Sequence, residues 1–307
     1  MRPAACLLPV LLLQAHPVLA QVAGDAELRA TVLGQPLVVR TTSRTAGAID
    51  SVRWAGVEHI DTFDHGRQLQ SALNADVDGV FYPEAYNPTE AGSSRDHTGP
   101  TSSSRLELHQ LDQGELRSRV RMAFWLAPGE TTLGKPALNT AVLSDHVLSK
   151  RVRVGWRGIP NVLDYRVAFA VPGDRPHRLL QFEVLTGYMP PAFSLPLEFH
   201  PAQGRLLPMA PRTGEGPLPV VLSTPDGAHA MGVVAAERPA GMRGPGYGSF
   251  TFAQERVVKW NCVFRLGSGQ PIPPAEHAFH VLVVFGPRAE CERALAGIHA
   301  QLPAPGR

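Results

Sequence analysis

Past residue 20 the apolar positions of this chain recur mostly with a period of two, the spacing that puts one face of a β-strand on a core. Leu28–Val32 and Pro36–Thr41 flank a turn at Gly34, and Ala46–Trp54 and Val57–Ile60 flank Ala55-Gly56. Arg105–Gln110 and Glu115–Trp125 flank Asp112-Gln113-Gly114. The second of these alternates most plainly. Leu116, Val120, Met122 and Phe124 fall on one parity and Arg117, Arg119 and Arg121 on the other, which predicts a half-buried strand with a basic outer face. His146–Trp156, Val162–Val171 and Arg178–Thr186 follow, the first two joined by a turn at Arg157–Asn161. Val220–Ser223 and Ala228–Ala235 flank Pro225-Asp226-Gly227, a strong turn signal. Phe250–Phe252, Val257–Leu266 and His277–Phe285 complete the set. One helix is predicted at Arg288–Gln301: Pro287 begins it, Glu290 and Glu292 sit near its positive end, and Ala294, Leu295 and Ile298 share a face.

About a dozen short strands and one helix, spaced by turns, read as all-β: an antiparallel β-sandwich, supersandwich-like, with one short C-terminal helix. No internal repeat and no Ser-rich or charged linker divides residues 21–307, which are expected to form a single sandwich domain. Two stretches lack a strand pattern, Gly79–Ser104 and Gly187–Pro219. Loops this long in compact domains are usually functional or disordered. Tyr82–Pro88, with its aromatic and proline content, reads as an ordered binding loop, and Gly92–Ser104, rich in Ser and Gly, as a mobile tip.

Composition narrows the class. The 29 glycines and 29 prolines lie between apolar runs and so mark turns rather than a disordered tract. A net charge of +2, with no block of Lys and Arg, is no footprint for nucleic acid. The first twenty residues read as a signal peptide: Arg2, the apolar run Leu7–Leu13, and Val18-Leu19-Ala20 as a cleavage site. The run is too short to span a bilayer, and Cys6 precedes it, which argues against lipidation. The mature chain is therefore expected to be exported, to a bacterial periplasm or beyond. Cys262 and Cys291 then remain; either they pair, or Cys262 is a buried strand residue and Cys291 packs the terminal helix. No HxH, HxxxH or HExxH spacing, P-loop, G-x-S-x-G or dinucleotide fingerprint is present, so no metal or cofactor is expected.

The unusual polar chemistry lies between Phe63 and Gly92. Asp64-His65-Gly66-Arg67 follows a predicted strand; His65 can donate or accept a proton and Arg67 can grip a carboxylate or sugar hydroxyls. Gln68 and Gln70 share a parity and would face one side of an extended segment. The alternative is a turn salt bridge between Asp64 and Arg67 with His65 packed beneath. Tyr82, Glu84, Tyr86, Asn87 and Glu90 form a second cluster, suited to stacking on and hydrogen bonding a sugar, or else to covering a sheet edge. His146, after Asp145 and before Lys150-Arg151, either completes an acid/base pair or belongs to a surface strand of mixed charge. Glu183 interrupts the apolar strand Phe182–Leu185; it is either a carboxylate in an apolar setting or the solvent-facing member of an alternating strand. Lys259-Trp260-Asn261 offers a cation, a ring and an amide, with a core Trp as the alternative.

The stretches FDHGRQLQSA, YNPTEAG, LSDHVLSKRV, QFEVLTGYMP and VVKWNCVFR together resemble a group of secreted bacterial proteins of unassigned activity, over about residues 40–286. More loosely, Gly47–Val52, a short hairpin and then Gly66-Arg67 resemble the opening of galactose-mutarotase-like supersandwich proteins, in which such Gly-Ala and Gly-Arg pairs line a sugar site. The later Asn-His-containing catalytic motif of that family is not found. The resemblance implies a carbohydrate-handling sandwich. On this reading a sugar or polysaccharide is the partner, and hydrolysis, elimination or epimerisation proceeds by general acid/base chemistry. His65 is then the acid or base, Glu90 or Glu183 the opposite partner, and Arg67, Tyr82, Tyr86 and Asn87 the ligand contacts. A non-catalytic glycan- or cell-wall-binding module and a structural envelope protein are the rival readings.

Overall fold

The computed structural model describes residues 22–173 and 175–302. The expected signal peptide and Cys6 lie outside them. In chain order the strands are β1 (Ala26–Val32), β2 (Gln35–Thr41), β3 (Ile49–Trp54), β4 (Val57–Glu58), β5 (Leu69–Ala75), β6 (Pro88–Thr89), β7 (Arg105–Asp112), β8 (Glu115–Phe124), β9 (Thr131–Thr132) and β10 (Lys135–Pro136). They continue as β11 (Leu143–Trp156), β12 (Ile159–Val171), β13 (His177–Met189), β14 (Leu195–His200), β15 (Arg205–Pro208), β16 (Val220–Ser223), β17 (Ala230–Ala235), β18 (Arg243–Phe252), β19 (Val257–Ile272) and β20 (Ala275–Gly286), and end in helix α1 (Arg288–Gln301).

All pairings are antiparallel. One layer runs β7–β8–β11–β12–β20–β17–β16–β14–β15. The other runs β1–β2–β3–β5–β13–β19–β18. The short β6 pairs with both β5 and β8 and stitches the layers together at one side. Between the layers, Leu148, Val152, Tyr165, Phe169 and Val281 of the first meet Leu73, Phe182, Val184, Trp260 and Phe264 of the second in one apolar core. A second cluster lies outside the first layer, where Cys291, Ala294, Leu295 and Ile298 of α1 cover Val162, Leu282 and Val284. The spacing i, i+3, i+4, i+7 is one helical stripe, and it explains where α1 sits. Cys262 belongs to the first core and Cys291 to the second; both are free.

Most strands expected from alternation are present, with longer ends. The burial of β8 follows its parity, Leu116, Val120 and Met122 inward and Arg117 and Arg119 outward. Of the strands longer than two residues, three escaped the pattern. β5 is covered on both faces, so Gln70 and Asn74 are as buried as Leu69 and Leu73 and no alternation marks it. β14 and β15 occupy a stretch read as irregular. Gly92–Ser104, expected to be a loose tip, is organised around the Asp96 carboxylate. That group accepts from Ser93 N (2.8 Å), Ser103 N (2.8 Å) and Ser103 Oγ (2.7 Å) and caps the 3-10 turn at Ser94–Asp96.

Candidate functional site

On the outer side of the second layer, away from the shared core, β19, β13, β5 and β6 lie side by side and form the floor of a cleft of about 100 Å³. Gln70, Ala72 and Asn74 reach it from alternate positions of β5, and Asn87 and Thr89 from the end of the neighbouring loop. Trp125, just past β8, forms a wall, with Glu84 at the rim. Gly66 is needed here: a Cβ on it would lie 2.7 Å from the Trp125 ring.

β13 supplies Glu183, Thr186 and Tyr188. Strict alternation would set Glu183 and Thr186 on opposite faces. A bulge between these residues shifts the register against both β19 and β5. Val184 and Leu185 are then both buried in the core, while Glu183, Thr186 and Tyr188 all face the cleft. Bulges re-aim side chains in this way. Gly187 lies against Trp260, where a Cβ would stand 2.4 Å from the indole.

The electrostatic centre of the cleft is Glu183 with Lys259 of β19. Lys259 Nζ stands 3.5 Å from Glu183 Oε2 and 3.5 Å from the Tyr188 hydroxyl, and 5.1 Å from the centre of the Tyr188 ring. Thr186 Oγ1 donates to the same Glu183 oxygen at 3.0 Å. Burial opposes the charge on Lys259, but Glu183, with Tyr188, outweighs it and raises the ammonium's pKa. Burial raises the Tyr188 phenol, and the nearby cation only partly offsets this. The cleft is therefore lined by a fixed ammonium, a protonated phenol and the Glu183 carboxyl group, whose Oε2 meets both Lys259 and Thr186. Among the described residues the amides of Asn74 and Asn87 are held by single contacts, Glu84 N to Asn74 Oδ1 (2.9 Å) and Asn87 Nδ2 to Leu73 O (3.0 Å), so the other end of each can bond a hydroxyl.

Five of the residues singled out from the sequence meet in this cleft: Gln70, Glu84, Asn87, Glu183 and Lys259. The others are placed elsewhere. His65 is buried, with Nδ1 2.7 Å from His97 O and Nε2 2.7 Å from Arg44 O, so its ring ties two loops together instead of facing a ligand. Asp64 and Arg67 form the turn ion pair (3.3 Å), and Arg67 also donates to Glu255 O. Gln68 is buried over Asp64. Glu90 is fully buried against Lys150. Tyr86 packs in the core on Phe124, His146 and His177. His146, expected at a surface strand or in an acid/base pair, is buried in that cluster. Tyr82 lies under Lys135, and Trp260 is a core residue.

Asn74, Trp125, Thr186 and Tyr188 were missed. Asn74 was within reach, four residues from Gln70 and of the same parity; the bulge hid Thr186 and Tyr188. Among the described residues no group of three or more His, Cys, Asp or Glu is placed to hold a metal ion, and no helix is long and apolar enough to cross a membrane.

No protein-family model matches this chain, and no curated protein sequence matches it. Among solved structures it is similar to the Slr1438 protein from Synechocystis sp. PCC 6803, at 12% identity over 92% of this chain and 100% of that one, with a TM-score of 0.44. It is also similar to the alpha-galactosidase from Lactobacillus brevis (8% identity, 90% of this chain and 42% of that one, TM-score 0.49). A third is a mutant of the heparan sulfate lyase HepC from Pedobacter heparinus (8%, 87% and 36%, TM-score 0.41). The chain spans less than half the length of the latter two.

Proposed function

We propose that the Glu183–Lys259 cleft binds a single sugar ring and that Glu183 acts on it as a general acid/base. One observation carries this reading: a bulged strand turns Glu183, Thr186 and Tyr188 together toward a cleft whose other walls are amides and an indole. Carboxamides bond hydroxyls and an aromatic face covers the apolar side of a pyranose, the usual division of labour in a polar ligand site. Glu183 takes the proton from a hydroxyl or an acidified C–H. The Lys259 ammonium and the Tyr188 hydroxyl face the oxygen on which negative charge develops.

A second reading has its own support. Glu183 already shares one oxygen between Lys259 and Thr186, as a carboxylate fixed for binding alone would. The two readings separate in one experiment. Neutral and acidic monosaccharides are titrated against the protein by tryptophan fluorescence, and mixtures are followed by NMR for new products. Turnover that falls 10²–10⁴-fold in Glu183→Gln, with the fluorescence titration retained, is the outcome expected of a proton-transfer group. Binding without product over hours supports the non-catalytic module. Turnover unchanged in Glu183→Gln removes Glu183 from the chemistry, and the absence of any sugar-dependent signal overturns both readings.

A further inference from the structure

The basic outer face of β8 lies on the opposite side of the sandwich from the cleft, and the cleft makes no use of it. In register across the first layer, Arg117 of β8 is opposite Arg151 of β11, Arg151 is opposite Arg166 of β12, and Arg166 is opposite His280 of β20. Three arginines and a histidine thus stand in one straight row. With strands about 4.8 Å apart, the row is about 14 Å long. The arginine side chains are half exposed, at 46%, 54% and 51%. Like charges directly opposite on a sheet cost stability, and here carboxylates offset the cost only in part.

Carboxylates beside the row hold it in place and offset part of its charge: Glu115, Asp164 and Glu237 stand against Arg117, Arg151, Arg153 and Arg166, three against four. Glu115, itself buried, takes Arg117, Arg151 and Arg153, three guanidiniums on one carboxylate. Asp164 takes Arg166 (3.4 Å) and His280 (2.7 Å), and His280 also meets Glu237 at the edge (3.4 Å). Arg117 and Arg166 use Nε for these contacts, which leaves their Nη ends for a ligand, whereas Arg151 meets Glu115 through both Nε (3.1 Å) and Nη2 (3.2 Å). Beside the row runs a second one of mostly small side chains, Leu108, Arg119, Ser149, Ala168 and Ala278, and the two border a groove of about 460 Å³. Arg119 is paired with Glu107 at 3.1 Å.

We propose that this groove is a second ligand site, which takes a linear acidic polysaccharide. The planar guanidinium fork suits carboxylate and sulfate oxygens. The open ends of Arg117 and Arg166, two strands apart in one row with Arg151 between them, fit a polymer that bears anions at regular steps. The small-residue row leaves a shallow trough for the sugar rings. Single-stranded nucleic acid needs stacking rings, and the ring bordering this groove, Phe279, is buried. A membrane surface needs inserted apolar side chains, and of the groove's residues Leu108 is the one large exposed apolar side chain. The site is independent of the proposed chemistry at Glu183.

The test is affinity gel electrophoresis of the full chain in polygalacturonate, with dextran, oligo-dT and anionic phosphatidylglycerol vesicles as parallel arms. Polygalacturonate should retard the wild type and dextran should not. Retardation should fall with salt and drop at least tenfold in Arg117→Gln/Arg151→Gln/Arg166→Gln, with Arg166→Gln alone as the milder variant should the triple fail to fold. Arg166→Lys should weaken it too, since an ammonium keeps the charge and loses the fork. Glu183→Gln should leave it unchanged. Equal retardation by dextran, unaltered retardation in the arginine variants, loss in Glu183→Gln instead, or binding confined to oligo-dT or vesicles would each overturn the proposal.

Discussion

His146 and Glu115 occupy the two faces of neighbouring strands in the first layer, and acid acts on both. Neither ring nitrogen of His146 has a partner among the described residues, and the rings of Tyr86, Phe124 and His177 surround it. Burial, then the nearness of His177, lowers its pKa to about 3. The unfolded chain takes up this proton near pH 6.5, so the folded state loses stability as pH falls from about 6.5 toward 3. His146→Phe keeps a ring in place and removes the titration. Its Tm should match the wild type within a few degrees at pH 7 and exceed it at pH 4.5; parallel Tm curves for the two proteins between those pH values would refute this. Glu115 is the carboxylate counterpart. Burial works to raise its pKa, and the hydrogen bonds from Arg151, Arg117 and Arg153 outweigh this and hold it at about 2. Its contribution is present above its unfolded value and lost as pH falls from about 5 to 2. Glu115→Gln leaves three guanidiniums facing one another and should cost roughly 1–3 kcal/mol at pH 7 by urea unfolding, shrinking toward zero at pH 2.

At the scale of elements, legibility followed the number of covered faces. β8 has one dry and one wet face, so its parity was plain in the sequence, and α1 was bounded correctly by Pro287 and its apolar stripe. β5 is covered on both faces, and its polar members Gln70 and Asn74 look like loop residues until β13 and β6 are laid beside it. Glu183 was recognisable as an interruption of an apolar run, whereas its alignment with Thr186 and Tyr188 depends on a bulge that no period reveals. The dense polar stretch at Asp64–Gln68 pointed to chemistry and folds as a turn whose side chains bond mostly to one another and to nearby carbonyls, with Gln68 Oε1 left without a partner among the described residues; composition alone cannot separate a site from a network of this kind. Two glycines sharpen the distinction between scaffold and site. Gly187→Ala would drive a Cβ into Trp260, which is fully buried and cannot yield, and should cost about 1–3 kcal/mol, read as a fall in Tm. Gly66→Ala would press on the far edge of the Trp125 ring, which is only partly buried. It should change the cleft's tryptophan-fluorescence response to sugars several-fold with a smaller fall in Tm than Gly187→Ala. The reverse order of Tm effects would show that Trp125, not Trp260, is the rigid wall.

Over the whole molecule, one buried ion pair among the described residues crosses the core between the layers, beside the neutral contacts Ser71–Tyr165 and Ala235–Tyr247. Lys150 projects inward from β11 of the first layer. Its ammonium bonds Glu90, just after β6, and donates to Gly47 O, just before β3 (3.1 Å). The other Glu90 oxygen accepts from Ser71 N of β5 at 3.1 Å. Both charged side chains are fully buried. A pair like this gains little over well-packed apolar neighbours, because its Coulomb attraction is offset by the desolvation of both ions; losing one partner is what is expensive. Lys150→Met strands a carboxylate in the core and should cost about 3–5 kcal/mol, a large fraction of the stability of a domain. Glu90→Gln/Lys150→Met removes both charges, while a glutamine oxygen can still accept from Ser71. It should recover at least half of that loss. Urea unfolding of the wild type, the two single variants and the double variant closes the cycle. A coupling energy near zero would mean that the ion pair is a passenger and that the other contacts between the layers hold them. A large one would make it the link that fixes β5 and β6, and with them the floor of the cleft, against the first layer.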